Sequence, residues 1–113
     1  MESSAKTIAI YEAEDGKYPF KIWLDSLRDK AVVARINARL TRIELGNFGD
    51  AKSVGSGVME LRLTFGSGFR IYYGLDGAKL VVLLMGGDKS TQDKDIKMAH
   101  AYWDDYLRRT QHE

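Results

Sequence analysis

Apolar positions change their period several times along the chain, and each change predicts an element. Thr7 to Ala13 is short, apolar and partly β-branched, the pattern of a strand, and Glu14-Asp15-Gly16-Lys17 closes it as a turn. Pro19 opens a helix in which Phe20, Trp23, Leu24 and Leu27 fall at helical spacing. After a break near Arg28-Asp29 a longer helix is expected to about Leu45. Val33, Ile36, Leu40 and Ile43 lie on its buried stripe, and Gly46 serves as its carboxy-terminal cap. Asn47 through Gly57 is rich in turn formers and has no period, so it reads as a loop able to approach a ligand.

Three strands are expected next. In Val58-Met59-Glu60-Leu61-Arg62-Leu63-Thr64, alternation puts Glu60 and Arg62 on one face and Met59, Leu61 and Leu63 on the other. Phe69-Arg70-Ile71-Tyr72-Tyr73 likewise sets Arg70 with Tyr72 against Phe69, Ile71 and Tyr73. Gly66-Ser67-Gly68 joins this pair, and Asp76-Gly77 reads as a two-residue hairpin turn into the next strand. Leu80 to Met85 is continuously apolar, as expected of a central strand covered on both faces. Ser90 through Asp93 resembles a capping box, and the helix it opens carries Ile96, Ala99, Trp103 and Tyr106 on one stripe. This order predicts an α+β fold: a small, mainly antiparallel sheet with helices over one face and a concave opposite face.

Composition narrows the classes of function. With 113 residues, 44% hydrophobic and 29% charged, the chain suits one compact domain over residues 1–113. A net charge of +1 excludes a polycation that coats nucleic acid indiscriminately, so a nucleic-acid role requires local segregation of charge. Such segregation is visible: Arg28, Lys30, Arg35, Arg39 and Arg42 stand against Asp29 alone, while Glu2, Glu12, Glu14 and Asp15 stand against Lys6. Without cysteine there is no disulfide framework and no thiolate metal site, a usage that suits a reducing cytoplasm. Met1 to Lys6 lacks a basic segment leading into an apolar one, and no apolar run approaches the roughly 18 residues of a membrane span. A cytoplasmic protein with no membrane partner is therefore expected.

Two adjacent strands that bury one face and present arginine on the other suggest a surface for a phosphate-bearing ligand. The element order, together with Glu60-Leu61-Arg62, Gly68-Phe69-Arg70-Ile71-Tyr72-Tyr73 and Gly86-Gly87-Asp88-Lys89-Ser90, resembles the RelE/ParE superfamily of toxin-antitoxin toxins. It is most similar to the HigB-related branch of addiction-module killer proteins, on the runs Leu45 to Lys52 and Gly86 to Ile96. The resemblance spans residues 7–107 and implies a RelE-like β-α-α-β-β-β-α fold. It also implies the toxin of a type II pair, neutralised by a cognate helix-turn-helix antitoxin through which alone it would reach operator DNA. Members of the superfamily either cleave messenger RNA on the ribosome or poison DNA gyrase.

Matched residue by residue, the resemblance implies functional positions at Glu60, Arg62, Arg70 and Lys89. RNA scission by the neighbouring 2′-hydroxyl needs neither metal nor cofactor, and leaves three tasks: aligning the phosphate, stabilising its extra charge and moving two protons. Arg62 and Arg70 are the candidates for charge stabilisation, because the guanidinium fork binds bidentately and stays charged. Lys89 is the candidate for the leaving 5′-oxygen or the phosphate. Glu60 is the candidate base, with the orientation of Arg62 as its other role. Lys52, Tyr72 and the helical ridge of Arg35, Arg39 and Arg42 are candidate RNA contacts.

Each assignment has a plainer rival: a solvated charge pair for Glu60 and Arg62, an ordinary carboxylate partner for Arg70, an exposed loop residue for Lys52 and Lys89, packing for Tyr72, a solvated helix face for the ridge. Trp23 and Trp103 read as core, His100 as helix surface and His112 as tail. At the level of function the alternatives are a ParE-like gyrase poison acting through the helical hairpin, and an interaction protein that kept the fold and lost the chemistry.

Overall fold

A computed structural model describes residues 5–111. Strand β1 (Thr7–Ile10) leads into helices α1 (Pro19–Ser26) and α2 (Lys30–Glu44). Strands β2 (Ala51–Ser53), β3 (Val58–Arg62), β4 (Arg70–Asp76) and β5 (Leu80–Gly87) follow, then a 3-10 turn (Lys89–Thr91) and helix α3 (Gln92–Thr110). The sheet order is β1-β5-β4-β3-β2, with β1 parallel to β5 and every other pair antiparallel. This is the expected small RelE-like α+β fold, with one strand more than expected. β2 arises inside the Asn47 to Gly57 segment, where Lys52 pairs with Glu60 and Ser53 with Met59. Three residues at a sheet edge carry no readable period.

Local chemistry sets the element ends. Pro19 opens α1, where its missing N–H costs nothing. Asp29 caps α2 by accepting from the amides of Ala31 (2.9 Å) and Val32 (3.4 Å). Gly46 follows the helix at φ +90°, the left-handed conformation a carboxy-terminal cap requires. Two expectations need correction. The β4–β5 connection has three residues, because Asp76 pairs with Leu80 and leaves Gly77, Ala78 and Lys79 outside the ladder. The amino-terminal signal of the last helix is Asp88, whose carboxylate accepts from the Ser90 amide at 2.9 Å and thereby caps the 3-10 turn; Thr91, at the helix start, makes no side-chain cap.

The sheet is covered on both faces, which overturns the concave open face. Phe20 of α1 and Ile36 and Ile43 of α2 pack with Leu61, Leu63, Ile71, Tyr73, Val81 and Leu83. On the other side Ala99 and Trp103 of α3 pack with Tyr11, Val58, Tyr72, Val82, Leu84 and Met85. Each such large side chain contributes roughly 1.5–3 kcal/mol on burial. A bulge in β5 decides what sits at its end. Tyr72 pairs with Met85 and Tyr73 with Leu83, so Leu84 is extra and the alternation inverts beyond it. Gly86 then faces the α1 side, where a Cβ would collide with the Trp23 ring, and Gly87 faces α3, where a Cβ would collide with the Asp95 carboxylate. The Gly-Gly pair is thus a close-approach device between layers. Gly74 does the same for Trp103.

Candidate functional site

The cationic strand residues meet at the end of the sheet nearest the start of α3. Cross-strand register sets Arg62 directly opposite Arg70, and Glu60 opposite Tyr72. Like charges directly opposite repel, and what holds them is Glu60, fully buried between them. Its Oε1 accepts from Nε of Arg62 at 3.2 Å; its Oε2 accepts from the Tyr72 hydroxyl at 3.0 Å and from Nε2 of Gln92 at 2.9 Å. Nε of Arg70 lies 3.5 Å from the same Oε2. Burial alone would raise the pKa of this carboxyl, but the donors Gln92, Arg62 and Tyr72 and the charge of Arg70 outweigh it and hold the group below the usual carboxylate value.

The arginines differ in access: the Arg62 side chain is 36% exposed and that of Arg70 only 12%. Nη1 of Arg70 donates to the Gly68 carbonyl at 2.6 Å, fixing the fork against the β3–β4 loop. Gly68 stands at φ +77°, and a Cβ there would lie 3.2 Å from Nη1 of Arg70 and 3.4 Å from Cβ of Lys89. The loop glycine therefore lets Arg70 and the Lys89 turn come together. Asp88 secures that turn by accepting from Ser90 Oγ at 2.6 Å and Ser67 Oγ at 3.4 Å, and leaves Lys89 exposed. Lys52, exposed on edge strand β2 opposite Glu60, adds a fourth cation to the same end. An open depression of about 490 Å³ lined by residues 89–94 adjoins the group.

Several candidates occupy other roles. Glu60 is no accessible base: it is sealed from solvent, engaged by several donors and held as a carboxylate of low basicity. Tyr72 is completely buried, with its hydroxyl on Glu60, so its ring is not available to stack on a base; burial, then Glu60, push its pKa far up. The helical ridge is divided, with Arg39 engaged in the fold and Arg35 and Arg42 at the surface. Arg35 lies 4.2 Å over the Phe65 ring. Arg39 donates to the carbonyls of Phe48 (3.2 Å) and Arg62 (3.4 Å), and burial and the neighbouring Arg42 lower its pKa. Arg35 and Arg42 are both exposed. His100 is half-buried, with Nε2 2.9 Å from the Val54 carbonyl; His112 lies outside the described residues.

Sequence reasoning missed Gln92 and Asp95. Gln92 carries no charge and falls at a helix start, where nothing in the pattern marks it. Asp95 is buried against Gly87, and the Thr91 hydroxyl donates to it at 2.5 Å. The adjacent Gly86-Gly87 was the only available signal of such close packing. Among the described residues no group of three or more His, Cys, Asp and Glu side chains is placed to hold a metal ion, and no helix is long and apolar enough to cross a membrane.

Comparison with known proteins adds two findings. The family model described as "Phage derived protein Gp49-like (DUF891)" matches residues 22–102, well over half of the chain. An uncharacterized protein of Haemophilus influenzae is 54% identical over 80 residues, covering 71% of this chain and 81% of the relative.

Proposed function

The chain belongs to the Gp49-like phage-derived family, a toxin-like family of the RelE/HigB type, and from that premise we propose that it is a ribosome-dependent messenger-RNA endoribonuclease. It acts as a single toxin domain, requires no metal and is neutralised by a cognate antitoxin. The observation that carries this reading is the cross-strand pair Arg62 and Arg70, aligned by one buried carboxylate. With Lys52 and Lys89 beside the two guanidinium groups, four cations stand against the carboxylates of Glu60, Asp88 and the buried Asp95, and the excess of positive charge suits a phosphodiester.

The 2′-oxygen attacks phosphorus as the bond to the 5′-oxygen breaks, giving a 2′,3′-cyclic phosphate. Arg62 and Arg70 take the charge that grows on the non-bridging oxygens. Lys89 gives its proton to the leaving 5′-oxygen, and the 2′-hydroxyl proton passes to water. Glu60 sets the forks and takes no proton. The shallow site and the net charge of +1 give little independent grip on RNA, which is why the messenger is presented by the ribosome.

Removing both arginines would strip Glu60 of its counter-ions, so the informative variants are Arg62→Lys and Arg70→Lys, which keep the charge and lose the fork. Primer extension on a messenger incubated with translating ribosomes should show new ends within codons for the wild type. Each variant should cut on the order of 10²-fold more slowly while remaining folded. Intact RNA with folded wild-type protein would reject the nuclease and direct attention to gyrase-mediated DNA cleavage.

A further inference from the structure

Oε2 of Glu60 is oversubscribed. Gln92 (2.9 Å) and Tyr72 (3.0 Å) occupy it at full hydrogen-bond distance, and Nε of Arg70 waits at 3.5 Å. Among the described residues that Nε is the one buried side-chain nitrogen or oxygen without a hydrogen-bond partner. A buried donor without a partner is costly, and here its nearest acceptor is taken by an uncharged amide on another element. We propose that Gln92 is a positioning residue that competes with Arg70 for Glu60, keeping Arg70 from closing onto the carboxylate and so leaving its guanidinium for the phosphate of the ligand.

The geometry gives Gln92 a second consequence. It is the first residue of α3, directly after the turn that carries Lys89. Its hydrogen bond therefore ties the position of Lys89 to the same carboxylate that aligns Arg62. Tyr72 cannot substitute for it, because the tyrosine is fixed in the sheet opposite Glu60 and already donates there. Without Gln92, the lone pair it vacates falls to Arg70, the nearest unsatisfied donor, and the fork turns inward by one hydrogen bond. Arg62, held through Oε1, should stay where it is. The nuclease reading enters only where turnover is concerned; the competition itself stands on the hydrogen-bond geometry.

Gln92→Met tests it, because the substitution keeps the volume and removes the donor; Gln92→Ala is the second variant should the thioether pack poorly. NMR of the arginine Nε–H groups reports the hydrogen bond directly. In the variant the Arg70 signal should move downfield and exchange more slowly with solvent, while that of Arg62 is unchanged. Binding of inorganic phosphate and of a short oligonucleotide carrying a 2′-deoxy residue at the scission point should weaken by about tenfold, as expected from the loss of one charge-assisted contact. On ribosomes, kcat should fall with little change in KM. A folded Gln92→Met protein whose Arg70 signal and phosphate affinity match the wild type would overturn the proposal. Wild-type protein that shows the expected Arg70 shift on phosphate binding but never cuts RNA would reject the nuclease reading and leave the competition intact.

Discussion

Glu60 and Asp105, two of the three buried carboxylates among the described residues, lie on the same side of the sheet near opposite ends of α3, make similar contacts and differ in what they leave over. Near the far end, Asp105 accepts from the Tyr11 hydroxyl at 2.6 Å and from Arg109, whose Nη2 and Nε lie 2.7 and 3.0 Å from the same oxygen. Arg109 also donates to the Glu12 carbonyl. One anion meets one cation, four residues away on the same helix, and the outcome is a staple that ties the segment just after β1 to α3. At the near end, Glu60 meets Arg62 and Arg70 from two strands, with a tyrosine and a glutamine besides, and one guanidinium nitrogen goes unserved. A balanced cluster stabilises; a cluster with surplus cation has capacity for an anion. Burial and a Tyr-carboxylate hydrogen bond are common to both, so neither identifies a site.

Removing each carboxylate should separate the two most clearly. Glu60→Ala leaves two arginines facing each other without their counter-ion and should cost about 3–5 kcal/mol, read from urea unfolding. Asp105→Ala should cost less, about 1–3 kcal/mol for the unsatisfied Tyr11 hydroxyl, whose pKa burial and Asp105 now push up to about 12. Equal losses would break the comparison.

A comparable effect, roughly 1–3 kcal/mol of overpacking, is expected for Gly86→Ala against Trp23 and for Gly74→Ala against Trp103. Only Gly86→Ala, beside the Lys89 turn, should also lower RNA cleavage when compared at a temperature where both variants are folded. If both lower it equally, stability rather than geometry is limiting.

The acid side sharpens the comparison further. Both carboxyls titrate below their ordinary values when folded, Glu60 because its donors outweigh burial and Asp105 chiefly through the Tyr11 hydrogen bond. A depressed pKa stabilises above the unfolded value and is lost as pH falls through the folded one. Stability tied to Glu60 should therefore fade below about pH 4.5 and that tied to Asp105 below about pH 3.8. Glu60→Gln should flatten the first part of the acid limb in a urea titration and Asp105→Asn the later part; a single unchanged limb in both would refute the assignment.

The smallest effect belongs to Arg42→Ala. This exposed position should change stability by no more than about 0.5 kcal/mol. Cleavage should be unchanged, and a marked fall would return the α2 ridge to the RNA surface despite the packing of Arg35 and Arg39.

Along the chain, periodicity and turn chemistry determined most of the architecture: Pro19, Asp29 and Gly46 bound the helices, and alternation correctly put Glu60, Arg62, Arg70 and Tyr72 on one face. Those signals are local, written within a few residues of where they act. Whether that face was open or covered depended on α3 returning across the sheet, and this alone turned Tyr72 and Glu60 from surface candidates into buried supports. The part played by Gln92 and the packing of Gly86 and Gly87 were likewise decided by contacts between distant segments, 32 positions apart in the case of Glu60 and Gln92. A neutral amide carries no periodic or charge signature of its own. Its meaning comes from the carboxylate it reaches, and only the folded sheet brings the two together.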